Sequence, residues 1–498
     1  MARKLIIIIV LLSAAISGII ILKKIYKKFK HLSWKIDEVY SHLNNNSNVL
    51  DSLGYLHSLN AISFAKEQAL INIINGESKN PAKDLCNVSI EWGVDKIQLS
   101  EAYLKCAKLD LQAGEMMRAI KNASYSLEAN ITTENKQFLS EMFSMPDARI
   151  VGTTQEISAL EGIISSSDKN IAAAAHYRLA LIYTPSIKNY DQTTGVDIDK
   201  AVFHQQQATN KAGIKQTKTT NISFIFNEKY SLFAANTILS ILLNSDLENK
   251  YNFNIIYEES APLSNITMNN IQKLKKIRDF DVTFIPFAEK IIENNKAVFD
   301  AITQSGNYPR ILGLKLYLKD VLPKFDQNLQ LDVDLLILRD LYELANTNLS
   351  HYNIAAAKTF ASIKESKMFR GGDCPGLPAE YFNSGVIVQN FRENDEIEDI
   401  SQVIEKTKCD YAFYDQCVLN LAAQGKTKFI SPRWNTIFRN GELTITPTSE
   451  MPFIIHFTSI GKDFNRYSKT LKNNKEANPY LSLYFTYYDY AKGVFEGQ

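Results

Sequence analysis

The sequence has no excess of charge of either sign, since 55 lysines and arginines balance 54 aspartates and glutamates. A basic surface of the kind that binds nucleic acid is therefore not indicated, and no nucleic-acid partner is expected. Hydrophobic residues make up 45% of the 498 residues, which favours folded over disordered material. A chain of this length is too long for one hydrophobic core, so several structural units are expected.

Cysteine is scarce as well, and its spacing shows no CxxC pair and no metal-knuckle pattern. A cysteine-based metal site is therefore not indicated. The simplest interpretation is that the cysteines are small buried thiols in a reducing compartment. They are Cys86, Cys106, Cys374, Cys409 and Cys417.

One long apolar run stands at the N-terminus. "LIIIIVLLSAAISGIIIL", Leu5 to Leu22, is uncharged and about long enough to span a bilayer core. A cleaved signal peptide is the alternative, because "SAA" resembles a cleavage site, but the apolar run continues beyond it. Residues 1–30 are therefore predicted to be a single-pass membrane anchor with basic flanks.

The charges around this run predict its orientation. More basic residues follow it than precede it, which places the long C-terminal part in the cytoplasm by the positive-inside rule. The opposite orientation, with the chain in a secretory lumen, would be signalled by glycans at sequons such as Asn122 and Asn265.

Helical periodicity dominates the next part of the chain. Residues 31–96 suit a helical stalk, and residues 97–213 suit helical hairpins with alanines at the contacts. "AAAHYRLALIYTPSIKNYDQTTGVDIDKAVFHQQQAT" (173–209) resembles a Sel-type, tetratricopeptide-like repeat, for which a generic helical bundle is the alternative. Stacked repeats form concave surfaces, so a protein partner is expected there.

The pattern changes after a polar linker at 214–221. Strand-like and helix-like segments alternate from residue 222, which predicts an α/β domain with a mostly parallel sheet. The aromatic tail, 467–498, is expected to pack on this domain, with a membrane surface as the alternative.

Within this domain "LQLDVDLLILRDL", Leu329 to Leu341, is predicted to be a buried strand. Asp332 and Asp334 would then point to the same face. Two adjacent carboxylates on a strand are unfavourable unless something compensates them. The residues alone leave two explanations open, a divalent cation or a solvated turn.

Residues 222–466 resemble glycosyltransferase family 8, whose members have the GT-A fold, a Rossmann-like mixed sheet. Five stretches match in order over half of the chain. They are "ISFIFNEKYSLFAANTILSILLNS", "YPRILGLKLYLKDVLPKFDQNLQLDVDLLILRDLYEL", "EYFNSGVIVQN", "YDQCVLNLAAQGKTKFISPRWN" and "IIHFTSIGK".

The resemblance implies a metal site and a donor site. Asp332 and Asp334 would be the D-x-D aspartates that bind Mn²⁺ together with His456, with Mg²⁺ as the other candidate. The implied donor-binding residues are Asn227, Tyr230, Arg310, Asn383, Gly461 and Lys462. Asp415 and Gln416 would hold the transferred sugar, although Asp415 also suits a helix N-cap.

The sequence departs from the family pattern in two places. Ile225, Phe226 and Asn227 stand where the family usually has Ala-Thr-Asp, which affects recognition of the nucleobase. Phe464 stands near a usual tryptophan. Since Gln416 is a neutral amide and a poor nucleophile, we favour front-side displacement in which it only positions groups or stabilises charge.

The resemblance therefore implies a membrane-anchored, Mn²⁺-dependent, retaining enzyme. It would transfer glucose or galactose from a UDP-sugar to a cell-envelope glycan, glycolipid or protein, as in lipopolysaccharide biosynthesis. The alternative is a catalytically degenerate family member that acts as a repeat-based scaffold at the membrane.

Overall fold

The structure is a computed structural model. It describes residues 81–92, 96–145, 147–148, 151–186, 196–303, 310–322, 325–358, 380–392, 414–439, 451–458 and 478–497, with a few isolated residues between these ranges. The predicted anchor, Leu5–Leu22, and most of the predicted stalk lie outside them. No helix among the described residues is long and apolar enough to cross a bilayer.

The chain divides into two compact units, 1–142 and 143–498. The described part of the first unit is helical: α1 (Pro81–Trp92), α2 (Lys96–Gln112), α3 (Met116–Ala129) and α4 (Thr133–Met142). A short turn separates α2 from α3, in keeping with the predicted helical hairpins. Gly114 has a φ of +78°, a conformation that a residue with a Cβ adopts only at a cost.

The prediction of free thiols is wrong for two of the cysteines. Cys86 of α1 and Cys106 of α2 form a disulfide, with their Cα atoms 5.7 Å apart. The physical reason is that both lie at the contact between the two helices, 20 residues apart in sequence and fully buried. Cys417 is a buried free thiol, as expected.

The described part of the second unit begins with three further helices: α5 (Thr154–Ile163), α6 (Lys169–Tyr183) and α7 (Ile198–Ala212). Side chains of Asp168 and Asp197 cap the N-termini of α6 and α7. Buried Arg178 of α6 forms two hydrogen bonds with buried Glu156 of α5. The helical character of this region is confirmed, and its assignment to a repeat family stays a prediction.

A seven-stranded mixed sheet forms the centre of the second unit, in the order β3-β2-β1-β4-β7-β6-β8. Strands β1 to β4 are parallel, β7 is antiparallel to β4 and β6, and β8 is parallel to β6. The α/β prediction is therefore confirmed. The strands are β1 (Lys218–Ile225), β2 (Asn249–Glu258), β3 (Asp281–Phe287), β4 (Gln327–Leu331), β6 (Ile354–Lys358), β7 (Phe382–Asn390) and β8 (Thr427–Ile430).

Strand β1 starts earlier than predicted. It begins at Lys218, inside the expected linker 214–221, because its polar first residues pair with β2 from Asn249 onwards. The helices that connect and cover the strands are α8 (Ser231–Asn244), α9 (Asn265–Lys273), α10 (Glu289–Asn294), α11 (Lys296–Thr303), α12 (Leu318–Val321), α13 (Tyr342–Ala345) and α14 (Tyr414–Ala422). The 3-10 helices are Glu228–Tyr230, Leu274–Lys276, Arg310–Tyr317 and Pro432–Asn435.

A second, smaller sheet has the order β10-β9-β11-β5. Its strands are β5 (Leu335–Ile337), β9 (Thr436–Arg439), β10 (Glu442–Leu443) and β11 (Ile454–His456). The prediction of one continuous strand through the Asp-Val-Asp segment is therefore wrong. The chain leaves the large sheet after Leu331 and enters the small sheet at Leu335, since these two ends pair with different neighbours.

The aromatic tail packs on the domain, as expected. It forms α15 (Pro479–Glu496), with Asn478 as its N-cap. The ring centroid of Tyr484 lies 4.6 Å from that of Phe457, and Tyr488 lies 4.8 Å from Phe464. This helix therefore packs against the segment that directly follows β11.

Candidate active site

Three side chains that could bind a metal ion meet where the two sheets join. Asp332 follows β4, Asp334 precedes β5 and His456 ends β11. One ligand atom from each lies within 4.8 Å of the others. His456 Nε2 is 3.2 Å from Asp334 Oδ1 and 3.8 Å from Asp332 Oδ2. Two carboxylates and an imidazole are a donor set that suits Mn²⁺ or Mg²⁺, so these residues fit a divalent cation.

Backbone hydrogen bonds hold the Asp-Val-Asp segment in place. The Asp332 N–H donates to the Gly385 carbonyl at 2.8 Å, and the Phe457 N–H donates to the Asp334 carbonyl at 2.9 Å. The Thr237 hydroxyl, on α8, lies 2.8 Å from the Val333 carbonyl. The two carboxylates are therefore presented by a fixed turn, with side chains about one-quarter exposed at 26% and 24%.

Gly385 makes room for the imidazole. A Cβ at this position would stand 2.1 Å from His456 Cε1 and 2.6 Å from His456 Nδ1. No carbon can approach another that closely without movement. The glycine of "FNSG" is thus a structural requirement of the His456 position.

Asn383 and Gln416 form one hydrogen-bonded pair beside this group. Asn383 Nδ2 donates to Gln416 Oε1 at 2.8 Å, and the Ser384 N–H donates to the same oxygen at 3.1 Å. Gln416 Nε2 donates to the Tyr381 hydroxyl at 2.9 Å. Both polar atoms of Gln416 are therefore used inside the protein, which suits a positioning role better than a nucleophilic one.

A buried lysine that sequence reasoning missed links the predicted residues. Lys315 Nζ lies 2.6 Å from Asp332 Oδ1 and 3.4 Å from Asp415 Oδ2. The Ser384 hydroxyl donates to Asp415 Oδ2 at 3.0 Å. One signal was present in the sequence, because Lys315 is the lone charge within the apolar stretch "ILGLKLYL".

This arrangement lies within a recognised family domain. Residues 221–465 match the family model described as glycosyl transferase family 8. The matched residues, just under half of the chain, are similar to a family 8 glycosyltransferase domain. The matched range agrees closely with the predicted 222–466.

Individual proteins resemble the glycosyltransferase domain at low identity. A Haemophilus influenzae protein that carries a glycosyltransferase name is 28% identical over 223 residues, which are 44% of this chain and 64% of that protein. The lipopolysaccharide 1,2-glucosyltransferase of Escherichia coli K12 is 26% identical over 157 residues, 29% of this chain and 45% of that protein. This chain therefore spans less than two thirds of the length of either relative.

One similar solved structure is a galactosyltransferase, LgtC, in complex with donor and acceptor sugar analogues. The match has a TM-score of 0.38 and 17% sequence identity, and it covers 48% of this chain and 87% of that chain.

Arg310, a predicted donor-binding residue, contacts two carboxylates at the carboxyl ends of β2 and β3. Its guanidinium lies 2.8 Å from Glu258 Oε2 and 3.1 Å from Glu289 Oε1, and it also contacts the Ser260 hydroxyl. These partners stand at the end of β2 and the start of α10. Among the described contacts it is Lys315, five residues further on, that reaches the Asp-Val-Asp segment.

The other predicted donor residues lie at the ends of strands or outside the described residues. Asn227 follows β1, and its Oδ1 atom is buried with no hydrogen-bond partner among the described residues. Tyr230 precedes α8, with its ring 5.9 Å from that of Phe233. Gly461 and Lys462 lie outside the described residues. An unsatisfied buried oxygen at the carboxyl end of a parallel strand suits a ligand contact.

The charges around Lys315 shift the pKa values of its neighbours. Burial would raise the pKa of Asp332, but the ammonium of Lys315 and the ring of His456 hold it below the ordinary value. Burial raises the pKa of Asp415 against the opposing effect of Lys315. Burial would lower the pKa of His456, but Asp334 and Asp332 raise it. Of Asp332 and Asp415, it is therefore Asp332 that is kept ionised.

Proposed function

We propose that the chain is a retaining hexosyltransferase that takes glucose or galactose from a UDP-sugar and requires a divalent cation, Mn²⁺ first among the candidates. The observation that carries this proposal is the meeting of Asp332, Asp334 and His456 within 4.8 Å inside a family 8 domain. These three residues would hold the cation. When bound, it supplies a Lewis acid that neutralises charge on the leaving diphosphate.

The remaining residues would hold the donor sugar and exclude water. Buried Asp415 is oriented by the Ser384 hydroxyl and by Lys315, so its carboxylate can accept a hydrogen bond from a sugar hydroxyl. Asn383 is fixed by Gln416 and can contact the sugar from β7. In front-side displacement the acceptor hydroxyl replaces the diphosphate at the anomeric carbon, and its proton passes to the leaving phosphate.

The acceptor and the location of the enzyme belong to the same proposal. The name of the Escherichia coli relative supports a cell-envelope glycan such as lipopolysaccharide, with a glycolipid or a protein as the other acceptors. The apolar run Leu5–Leu22 and the lysines after it support a single-pass anchor with the catalytic domain in the cytoplasm. The Cys86–Cys106 disulfide is typical of an oxidising compartment and favours the opposite orientation. Reporter fusions at both chain ends test the orientation.

The test is hydrolysis of a panel of UDP-sugars, which needs no knowledge of the acceptor. We expect turnover of one hexose donor with Mn²⁺ and none after chelation with EDTA. Asp332→Asn and Asp334→Asn should each lower turnover by about 100-fold or more, since even the outer-shell partners of metal ligands contribute 10–100-fold. Asp300→Asn, an exposed aspartate of α11, is the matched control.

Three outcomes would contradict parts of the proposal. No turnover of any donor, together with UDP affinity that does not depend on Mn²⁺, would favour the scaffold alternative. Full activity of both aspartate variants would remove the cation site from the reaction. Unchanged turnover in Gln416→Ala would remove its positioning role.

A further inference from the structure

Asn435 contacts both the predicted donor site and the predicted metal site. It is buried at the end of the 3-10 helix Pro432–Asn435. Its Nδ2 atom lies 2.9 Å from Asn383 Oδ1, and its Oδ1 atom lies 3.0 Å from His456 Nδ1. The same amide therefore touches a donor-site residue and a metal-site residue.

Two backbone N–H groups fix the direction of this chain of hydrogen bonds. The Gly385 N–H donates to Asn383 Oδ1 at 2.9 Å, and the Ser384 N–H donates to Gln416 Oε1 at 3.1 Å. A backbone N–H can only donate, so the atoms it meets must be the oxygens of these two amides. Asn383 then directs its Nδ2 atom at Gln416 and its oxygen at Asn435.

The orientation of Asn383 determines that of Asn435, and Asn435 in turn determines which nitrogen of the imidazole carries a proton. Because Asn383 presents an oxygen, Asn435 must present its Nδ2 hydrogens there, and its own oxygen then faces His456. An oxygen of an amide can only accept, so His456 Nδ1 must carry a proton. Nε2 lies 3.2 Å from Asp334 Oδ1, and this carboxylate attracts a second proton to it. When the ring loses that second proton, or exchanges it for a cation, the proton on Nδ1 stays and the lone pair is on Nε2.

We propose that Asn435 is a positioning residue that holds His456 in the Nδ1–H tautomer, so that Nε2 is prepared to bind a cation. A metal binds the unprotonated nitrogen of a histidine, and a hydrogen bond at the other nitrogen sets both the tautomer and the ring orientation. Contact of the ring with Gly385 restrains the same orientation. The inference rests on the proposed function only for the use of the cation, since the tautomer is a property of the protein alone.

The experiment is ¹⁵N NMR of the full chain with labelled histidines. The spectra are recorded at a pH high enough that the His456 ring is neutral and its signals no longer change with pH. Substitution of His456 by glutamine assigns its signals among the seven histidines. We expect a protonated-type Nδ1 and an unprotonated-type Nε2 in the wild type. Asn435→Leu, which has a similar volume and no polar atoms, should give a mixture of tautomers. It should also weaken Mn²⁺ binding by about 10–100-fold, measured by electron paramagnetic resonance.

Two further variants separate positioning from general damage. Asn435→Asp keeps an acceptor for His456 and should restore the Nδ1–H tautomer. Asn328→Leu removes another buried asparagine, whose Nδ2 donates to the Ser223 hydroxyl at 2.7 Å, and should leave the tautomer unchanged.

The inference is overturned if wild-type His456 carries its proton at Nε2, or if Asn435→Leu keeps a pure Nδ1–H tautomer. Failure of the proposed function looks different. A chain that hydrolyses no UDP-sugar but shows the expected tautomer and its loss in Asn435→Leu refutes the activity and supports the role of Asn435.

Discussion

Gly385→Ala should abolish cation binding while the domain stays folded. The added Cβ would stand 2.1 Å from His456 Cε1, whereas carbon atoms in contact are about 3.5 Å apart or more. One of the two groups must therefore move by roughly 1.4 Å. The Gly385 carbonyl accepts from the Asp332 N–H, and the next residue, Val386, pairs with Leu331 of β4, so we expect the ring of His456 to move and not the strand.

The size of this movement sets the expected effect. Metal–ligand distances tolerate deviations of only about 0.2 Å, so a shift of roughly 1.4 Å removes His456 from the site. Loss of this ligand should weaken Mn²⁺ binding by at least about 100-fold, more than the loss of an outer-shell partner. Electron paramagnetic resonance of free Mn²⁺ during a titration measures this directly.

A second glycine provides the matched control. Gly493 lies in α15, and a Cβ there meets nothing within 4 Å. Gly493→Ala should leave Mn²⁺ affinity unchanged and raise helix stability by about 0.5–1 kcal/mol. If Gly385→Ala binds Mn²⁺ within threefold of the wild type, the close packing of His456 on β7 is not what positions this ligand.

Further predictions concern charges. Lys315→Met should destabilise the chain by about 3–5 kcal/mol, since it removes the ammonium group that pairs with the carboxylates of Asp332 and Asp415. Added Mn²⁺ should restore part of the lost melting temperature, and an unchanged melting temperature in both conditions would contradict this. Arg178→Ala should lower the free energy of unfolding, measured in urea, by a similar amount of about 3–5 kcal/mol, because the charge of Glu156 stays buried without its partner. Lys296→Ala removes an exposed ion pair and should lower it by under about 1 kcal/mol. Burial lowers the pKa of His176 from 6.5 to about 4. The unfolded chain therefore takes up the proton first, and the free energy of unfolding should fall by up to about 3 kcal/mol as the pH drops from 6.5 towards 4. A profile that is flat over this range, or the same in His176→Phe, would contradict the assignment.

The sequence predicted the regular elements better than the connections between them. Alternation of apolar segments from residue 222 onwards predicted β1, α8, β2 and β3, because burial of each depends on its own periodicity. The Asp-Val-Asp segment was wrongly predicted as one strand, because its apolar neighbours are buried in two different sheets. Local pattern cannot distinguish burial in one sheet from burial in two.

The residues that the sequence did not reveal have a similar cause. Arg310 and Lys315 lie in one 3-10 helix, where positions five residues apart point about 120° apart. Only the packing of that helix decides which of the two cations faces Asp332, and it is the lysine. Asn435 carries no charge and no motif spacing of its own, so only the structure shows that it touches His456.

The step of the chain from one sheet to the other has a thermodynamic consequence. Asp332 directly follows β4 of the large sheet, whereas Asp334 directly precedes β5 and His456 ends β11, both strands of the small sheet. A cation held by all three would tie the two sheets together, so it would bind only when the small sheet is folded against the large one. Linkage then requires that the cation stabilise the small sheet against local opening. We expect the amides of β5 and β11 to exchange hydrogen more slowly with Mn²⁺ present, and the distant edge strand β3 to be unaffected.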